Sequence, residues 1–186
     1  DCEIHDSATM TLEEVLEVVI QANKENKYIV RLHTGDPSIY GAIKEQMVEL
    51  DKLGIEYDIC PGVSSCCGAA ASLKAEYTLP DVSQTVIITR MNGKTPVPEK
   101  ENIASLASHQ ATMVMFLSTG LLEELQVELM RGGYKEDTPA AIVYKATWED
   151  EKIFYCTVST LAETAKKNNI TKTALITVGY FLGDNF

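Results

Sequence analysis

The chain has 186 residues, of which 45% are hydrophobic and 23% charged, a composition typical of globular proteins. Its 16 basic and 27 acidic residues give a formal net charge of −11 at pH 7. Such a charge repels phosphate backbones and anionic headgroups, which argues against general nucleic-acid or membrane-surface binding. An anionic ligand would therefore need basic side chains gathered locally.

Strand-like and helix-like segments alternate along the chain, which is the pattern of an α/β protein. Thr11 and Glu14 are spaced as a capping box that opens a first helix. The pattern then predicts strands at residues 28–32 and 55–60. Further helices are predicted at 39–53, ending at Gly54, and at 64–73.

The second part of the chain predicts a sheet of mixed direction. Its predicted strands are residues 85–90, 111–117, 140–144, 152–157 and 174–178, with a helix at 120–130. The short connection between the third and fourth of these strands predicts an antiparallel pair. We place a domain boundary near Pro80, between a parallel α/β lobe (1–80) and a mixed-sheet lobe (81–186).

Two bends of the first lobe are candidate binding loops. Residues 33–41 and residues 60–65 each follow a predicted strand and open a predicted helix, and open α/β folds bind ligands at that end of their strands. Gly35 allows a ligand to approach the backbone closely. An ordinary strand-to-helix turn, capped by Asp36 in the first bend and by Ser64 or Ser65 in the second, explains the same residues. Neither bend is a dinucleotide or nucleoside-triphosphate motif.

Other kinds of site find little support in the sequence. The three histidines are not at metal-ligand spacing with one another or with the cysteines, so no metal site is predicted. No nucleophile motif is present, and no catalytic residue is assigned. The chain has five cysteines that form no CxxC pair: Cys2, Cys60, Cys66, Cys67 and Cys156. This scattered set predicts reduced thiols in a cytoplasmic protein. The longest apolar runs are too short to span a bilayer.

Three segments in this order resemble the tetrapyrrole methylases, the S-adenosylmethionine (SAM)-dependent enzymes of cobalamin and sirohaem synthesis. They are Thr34-Gly35-Asp36-Pro37-Ser38-Ile39-Tyr40-Gly41, Pro61-Gly62-Val63-Ser64-Ser65 and Ala174-Leu175-Ile176-Thr177-Val178-Gly179. Four more stretches, at 82–90, 93–99, 109–113 and 144–152, resemble the branch that methylates C11 of precorrin-4 or cobalt-precorrin-4. The resemblance covers nearly the whole chain.

The resemblance implies a two-lobed homodimer that uses SAM as methyl donor and a corrin precursor as substrate, with SAM in the cleft between the lobes. By position, the SAM-contacting residues would be Thr34, Gly35, Asp36, Ile39, Ser64, Ser65, Leu117, Ala146, Ala174 and Leu175. Methylation of a different ring position, a diphthamide- or rRNA-modifying activity, and a non-catalytic SAM- or tetrapyrrole-binding domain are the alternatives.

The family's first strand and the Gly-Pro-Gly-Asp-Pro-like loop after it have no counterpart in this sequence. The resemblance therefore predicts that the first lobe is truncated at its start and that the 186-residue chain has little or no activity by itself.

Because the implied substrate carries many carboxylates, a local basic rim is expected. We assign it to Arg90, Lys94 and Lys145, although the same residues also fit an ordinary solvated surface.

Overall fold

A computed structural model describes residues 2–93 and 95–183. Its internal contacts divide the chain into two compact units, Asp1–Ser64 and Ser65–Phe186. This division falls earlier than the predicted boundary near Pro80. Helix α3 (Ser65–Leu73) belongs to the second unit because Cys66, Ala69 and Leu73 are part of a hydrophobic core on that unit's sheet.

The first unit contains two α-helices, α1 (Leu12–Lys24) and α2 (Ile43–Leu53). The predicted capping box at α1 is confirmed. The Glu14 amide donates to Thr11 Oγ1 at 3.3 Å, and the Thr11 amide donates to Glu14 Oε2 at 2.7 Å. Gly54 ends α2 in the left-handed conformation, with φ of 66°, as predicted.

Helix α2 begins later than the predicted residue 39. Residues 37–40 form a separate turn, and Tyr40 and Ala42 have positive φ angles of 56° and 49°. Left-handed residues interrupt an α-helix, so the helix starts only after them. Gly41 lies within the interruption, where an added Cβ would be 2.1 Å from the Pro37 carbonyl oxygen.

The predicted strands at residues 28–32 and 55–60 are not formed, and residues 2–64 contain no strand. A strand requires a neighbour for its backbone hydrogen bonds, and its apolar residues require a core to cover. Tyr28, Val30 and Leu32 instead remain 96%, 63% and 79% exposed. The local β-propensity of these segments is therefore not matched by pairing within the described residues.

The second unit is built on a five-stranded mixed sheet, which confirms the α/β class. Its strands are β1 (Val86–Arg90), β2 (Thr112–Phe116), β3 (Pro139–Tyr144), β4 (Lys152–Thr157) and β5 (Ala174–Val178). They are ordered β1-β2-β5-β3-β4. Strands β1 and β2 are parallel, and every other neighbouring pair is antiparallel, including the predicted β3–β4 pair.

Both faces of this sheet are covered. Helices α4 (Ile103–Ala107), α5 (Leu122–Arg131) and α6 (Leu161–Lys167) pack on the face that carries Met113, Ile142 and Ile176. Helix α3 and the turn Tyr180–Leu182 pack on the opposite face, against Val114, Val143 and Leu175. The three central strands are buried on both sides, which explains why they read as continuous apolar runs. Among the described residues, no helix is long and apolar enough to cross a membrane.

Candidate functional site

In the first unit, a single carboxylate joins the two glycine-containing bends. Asp36 Oδ2 accepts a hydrogen bond from the Gly62 amide at 2.9 Å. Asp36 Oδ1 accepts from the Ser38 amide at 2.9 Å and from the Ser38 hydroxyl. The two candidate binding loops therefore lie side by side, although the sheet expected beneath them is absent from residues 2–64.

The two bends approach each other closely enough to require glycine. A Cβ placed on Gly62 would be 2.1 Å from the Gly35 carbonyl oxygen, a backbone atom that cannot rotate away. Gly35 itself has a φ of +71°, a region that disfavours residues with a side chain. The contact between the bends thus requires glycine at position 62, and the backbone conformation favours glycine at position 35.

The hydrogen bonds hold Asp36 in its ionised form. The Ser38 hydroxyl lowers the pKa of the Asp36 carboxyl most, followed by the amides of Gly62 and Ser38. Asp36 also closes the next turn, since its carbonyl oxygen accepts from the Ile39 amide at 3.2 Å. Beside this anchor, Thr34 and Gly35 are exposed, Ile39 is half-buried and Ser64 is buried.

In the second unit, the remaining predicted SAM contacts gather at one end of the sheet. We call this end the carboxyl edge; it consists of the carboxyl ends of β1, β2 and β3 and the amino ends of β4 and β5. Ala174 pairs with Tyr144, so Ala146 lies just beyond this edge. Leu117 follows β2 at the same edge, with a φ of +52° and 72% exposure. Ala174 and Leu175 begin β5 there.

Backbone hydrogen bonds and packing fix this edge. The Thr119 hydroxyl donates to the Ala174 carbonyl at 3.2 Å, and the Lys145 amide donates to the Thr173 carbonyl at 2.9 Å. A Cβ added to Gly68, in α3, would be 3.0 Å from Thr147 Cγ2 and 3.9 Å from Ala146 Cβ. The first turns of α3, which open at Ser65, therefore lie against the loop that contains Ala146.

Glu151 strengthens the same contact between α3 and the β3–β4 loop. Its carboxylate accepts from the Thr147 amide at 2.5 Å and from the Ser72 hydroxyl at 2.7 Å. Sequence reasoning did not assign Glu151 a role. Residues 72 and 151 are far apart in the chain, and no local pattern links them.

Arg90, the first residue of the predicted basic rim, binds main-chain carbonyl groups of its own loop. Its guanidinium donates to the main-chain carbonyls of Met91 at 3.2 Å, Thr95 at 2.9 Å and Pro96 at 3.1 Å. Arg90 therefore holds the loop after β1 at the carboxyl edge. Within the described ranges, no carboxylate forms an ion pair with it.

The other two residues of the predicted rim are Lys145 and Lys94. Lys145 Nζ lies 2.5 Å from Asp150 Oδ2 and about 5 Å from the ring centroids of Tyr144 (5.3 Å) and Trp148 (5.2 Å). Asp150 raises the pKa of Lys145, and its carboxylate already balances the ammonium charge. Lys94 lies outside the described residues.

No group of three or more His, Cys, Asp or Glu side chains in residues 2–93 and 95–183 is arranged to hold a metal ion.

Two named relatives match all or nearly all of the chain. It is 55% identical over 186 residues to a cobalt-precorrin-4 C(11)-methyltransferase of Methanocaldococcus jannaschii, covering 100% of this chain and 72% of the relative. It is 47% identical over 180 residues to the enzyme of the same name from Priestia megaterium, covering 97% and 70%.

Solved structures match the fold. The X-ray structure of a cobalamin biosynthetic enzyme, cobalt precorrin-4 methyltransferase, is 47% identical with a TM-score of 0.94, covering 97% of this chain and 75% of that one. A uroporphyrin-III C-methyltransferase of Thermus thermophilus complexed with S-adenosyl homocysteine is 21% identical with a TM-score of 0.74, covering 92% and 74%. At that identity the likeness concerns the fold alone.

The family model of the tetrapyrrole (corrin/porphyrin) methylases matches residues 2–162. Together with the relatives that match all or nearly all of this chain, this match establishes that the chain belongs to the tetrapyrrole methylase family.

Proposed function

We propose that this chain belongs to a SAM-dependent methyltransferase that methylates C11 of cobalt-precorrin-4 or precorrin-4 in cobalamin synthesis. The observation that carries the proposal is the 55% identity, over the whole chain, to a relative with that name. The segments that first indicated the family also have a structural basis. The first two segments form the joined bends of the first unit, and the third forms β5, which begins at the carboxyl edge of the second unit.

SAM supplies a methyl group on a sulfonium, which is already a good leaving group, so the protein need not provide a nucleophile. The work left to the protein is alignment, which contributes about 7–11 kcal/mol in well-oriented reactions. Rigid backbone suits this task. Asp36 fixes the joined bends, and Glu151 and Arg90 fix the two loops at the carboxyl edge.

We assign SAM contacts to two groups of residues. In the first unit, Thr34 and Gly35 offer exposed backbone beside the Asp36 anchor, with Ile39 and Ser64 next to it. In the second unit, the group lies at or beside the carboxyl edge: Ser65, Leu117, Ala146, Ala174 and Leu175. Gly35 is exposed and has no side chain, so a ligand that hydrogen-bonds to main-chain groups can approach the backbone there.

Replacing Asp36 tests the first group. Asp36→Ala removes three hydrogen bonds, one that joins the bends and two that hold Ser38 in the first bend. We expect it to raise the dissociation constant for SAM by about tenfold or more, measured by titration calorimetry. Asp58→Ala is the matched control, because Asp58 is an exposed acidic residue of the same unit and its loss changes the net charge equally. Equal SAM affinity in the two variants would exclude Asp36 from the site.

Arg90 is the rim residue best suited to a substrate carboxylate. Its guanidinium donates to three main-chain carbonyl oxygens, and no carboxylate in the described part of the chain balances its positive charge. We expect Arg90→Gln to weaken binding of the carboxylate-bearing precursor several-fold, while SAM affinity stays unchanged. Arg131→Gln is the control, since Arg131 is exposed and paired with Glu128. Unchanged precursor binding in Arg90→Gln would remove Arg90 from the rim.

The product decides between the proposal and its alternatives. SAM carrying a ¹³C methyl is incubated with the precursor and the whole translated protein that contains this sequence, with the 186-residue chain assayed in parallel. We expect NMR to place the label on C11. Label on another ring carbon would indicate a different position specificity, and SAM binding without turnover in the whole protein would indicate a binding domain.

The homodimer and the low activity of the 186-residue chain by itself, which the resemblance implies, stay predictions. So does the cytoplasmic location, which the cysteine pattern indicates.

A further inference from the structure

Two adjacent cysteines at the start of α3 have no part in the proposed reaction. Cys66 and Cys67 lie in the first turn of this helix, and their Sγ atoms are 3.9 Å apart. Consecutive residues of an α-helix project about 100° apart, so the backbone alone does not impose this approach. Both thiols are free, and they are the one cysteine pair whose sulfurs are in contact among the described residues.

The separation of the sulfurs fits a bridging thiophilic atom better than a disulfide. A disulfide requires an S–S distance of about 2.05 Å, far shorter than the gap here. Two sulfurs bound to one trivalent arsenic, a three-coordinate pyramidal centre, have a separation between the disulfide distance and the 3.9 Å found here. The thiols therefore need little movement to act as two ligands of one atom.

We propose that Cys66 and Cys67 form a vicinal dithiol site that chelates trivalent arsenic. With phenylarsine oxide as the reagent, two As–S bonds form and the As–O bonds break. The oxygen leaves as one water molecule with the two thiol protons. Arsenic stays trivalent throughout, so the step needs no oxidant or reductant.

The surroundings of the pair favour a chelating reagent over a simple alkylating one. Cys67 is exposed, whereas Cys66 is 5% exposed, so Cys67 is the point of entry and Cys66 closes the ring. The neighbouring Cys66 raises the pKa of Cys67, with burial adding to the effect, so Cys67 is a protonated and weakly nucleophilic thiol at neutral pH. The first turn of a helix also lacks some of its intrahelical hydrogen bonds, which lowers the cost of local opening.

The remaining cysteines offer no second sulfur and serve as internal controls. Cys2 and Cys60 are exposed but single, and Cys156 is buried, with its pKa raised to about 12 by desolvation. A single thiol forms only one bond to arsenic, which excess monothiol displaces. A two-sulfur chelate resists monothiols and is released by a competing dithiol.

The site also adjoins a residue assigned to SAM binding, and this consequence rests on the proposed function. Ser65 immediately precedes the pair and opens α3. A phenylarsenic group held at the first turn would occupy space beside Ser65. We therefore expect the chelate to reduce SAM affinity.

Intact-protein mass spectrometry tests the site without any assay of activity. The chain is treated with one equivalent of phenylarsine oxide and then with excess glutathione. We expect one phenylarsenic adduct that survives glutathione and is removed by 2,3-dimercaptopropanol. Cys67→Ser and Cys66→Ala should each lose the glutathione-resistant adduct, and Cys60→Ser should retain it.

Cys67→Ser keeps the test valid if Cys66→Ala disturbs the core, because the Cys67 side chain is exposed; circular dichroism checks the fold of both. A resistant adduct in Cys67→Ser, or none in the unmodified chain, would overturn the proposal. SAM titration of the adduct is scored separately. Loss of affinity by tenfold or more supports the link to Ser65, and unchanged affinity breaks that link while the dithiol site stands.

Discussion

The position of the first candidate site depends on one carboxylate. Asp36 binds its own turn through Ser38 and the second bend through the Gly62 amide, and residues 2–64 contain no sheet that would otherwise hold the bends together. The arrangement also explains the glycines, since Gly62 has no room for a Cβ beside Gly35. The functional reading of the first unit therefore rests on a hydrogen bond between residues 26 positions apart.

In the second unit, the sheet holds the candidate site residues in position. The positions of its proposed SAM-contact residues follow from strand register, because Leu117, Ala146 and Ala174 lie where β2, β3 and β5 meet the carboxyl edge. Charged side chains also fix the adjoining loops by hydrogen bonds to their backbone groups. Arg90 holds the loop after β1, and Glu151 holds the β3–β4 loop against α3. A reaction that depends on alignment benefits from such fixed backbone.

The sequence predicted well what local pattern controls. Strands β4 and β5 have the predicted bounds because apolar runs between turn residues define them, and the Thr11–Glu14 capping box depends on two neighbouring residues. It failed where tertiary pairing decides. Residues 28–32 have strand composition but no partner strand, and the left-handed Tyr40 and Ala42 delay α2. The carbonyl contacts of Arg90 and the Ser72–Glu151 bond join residues that no periodicity connects.

The bond between Asp36 and Gly62 is tested most directly by following the Gly62 amide by NMR as a function of pH. If the carboxylate accepts this N–H, the amide proton shift will titrate with a midpoint below the usual aspartate pKa, and the titration will vanish in Asp36→Asn. The Gly54 amide, which donates to main-chain carbonyls, should not respond. A chemical shift of the Gly62 amide proton that changes neither with pH nor on the Asp36→Asn substitution would contradict the account.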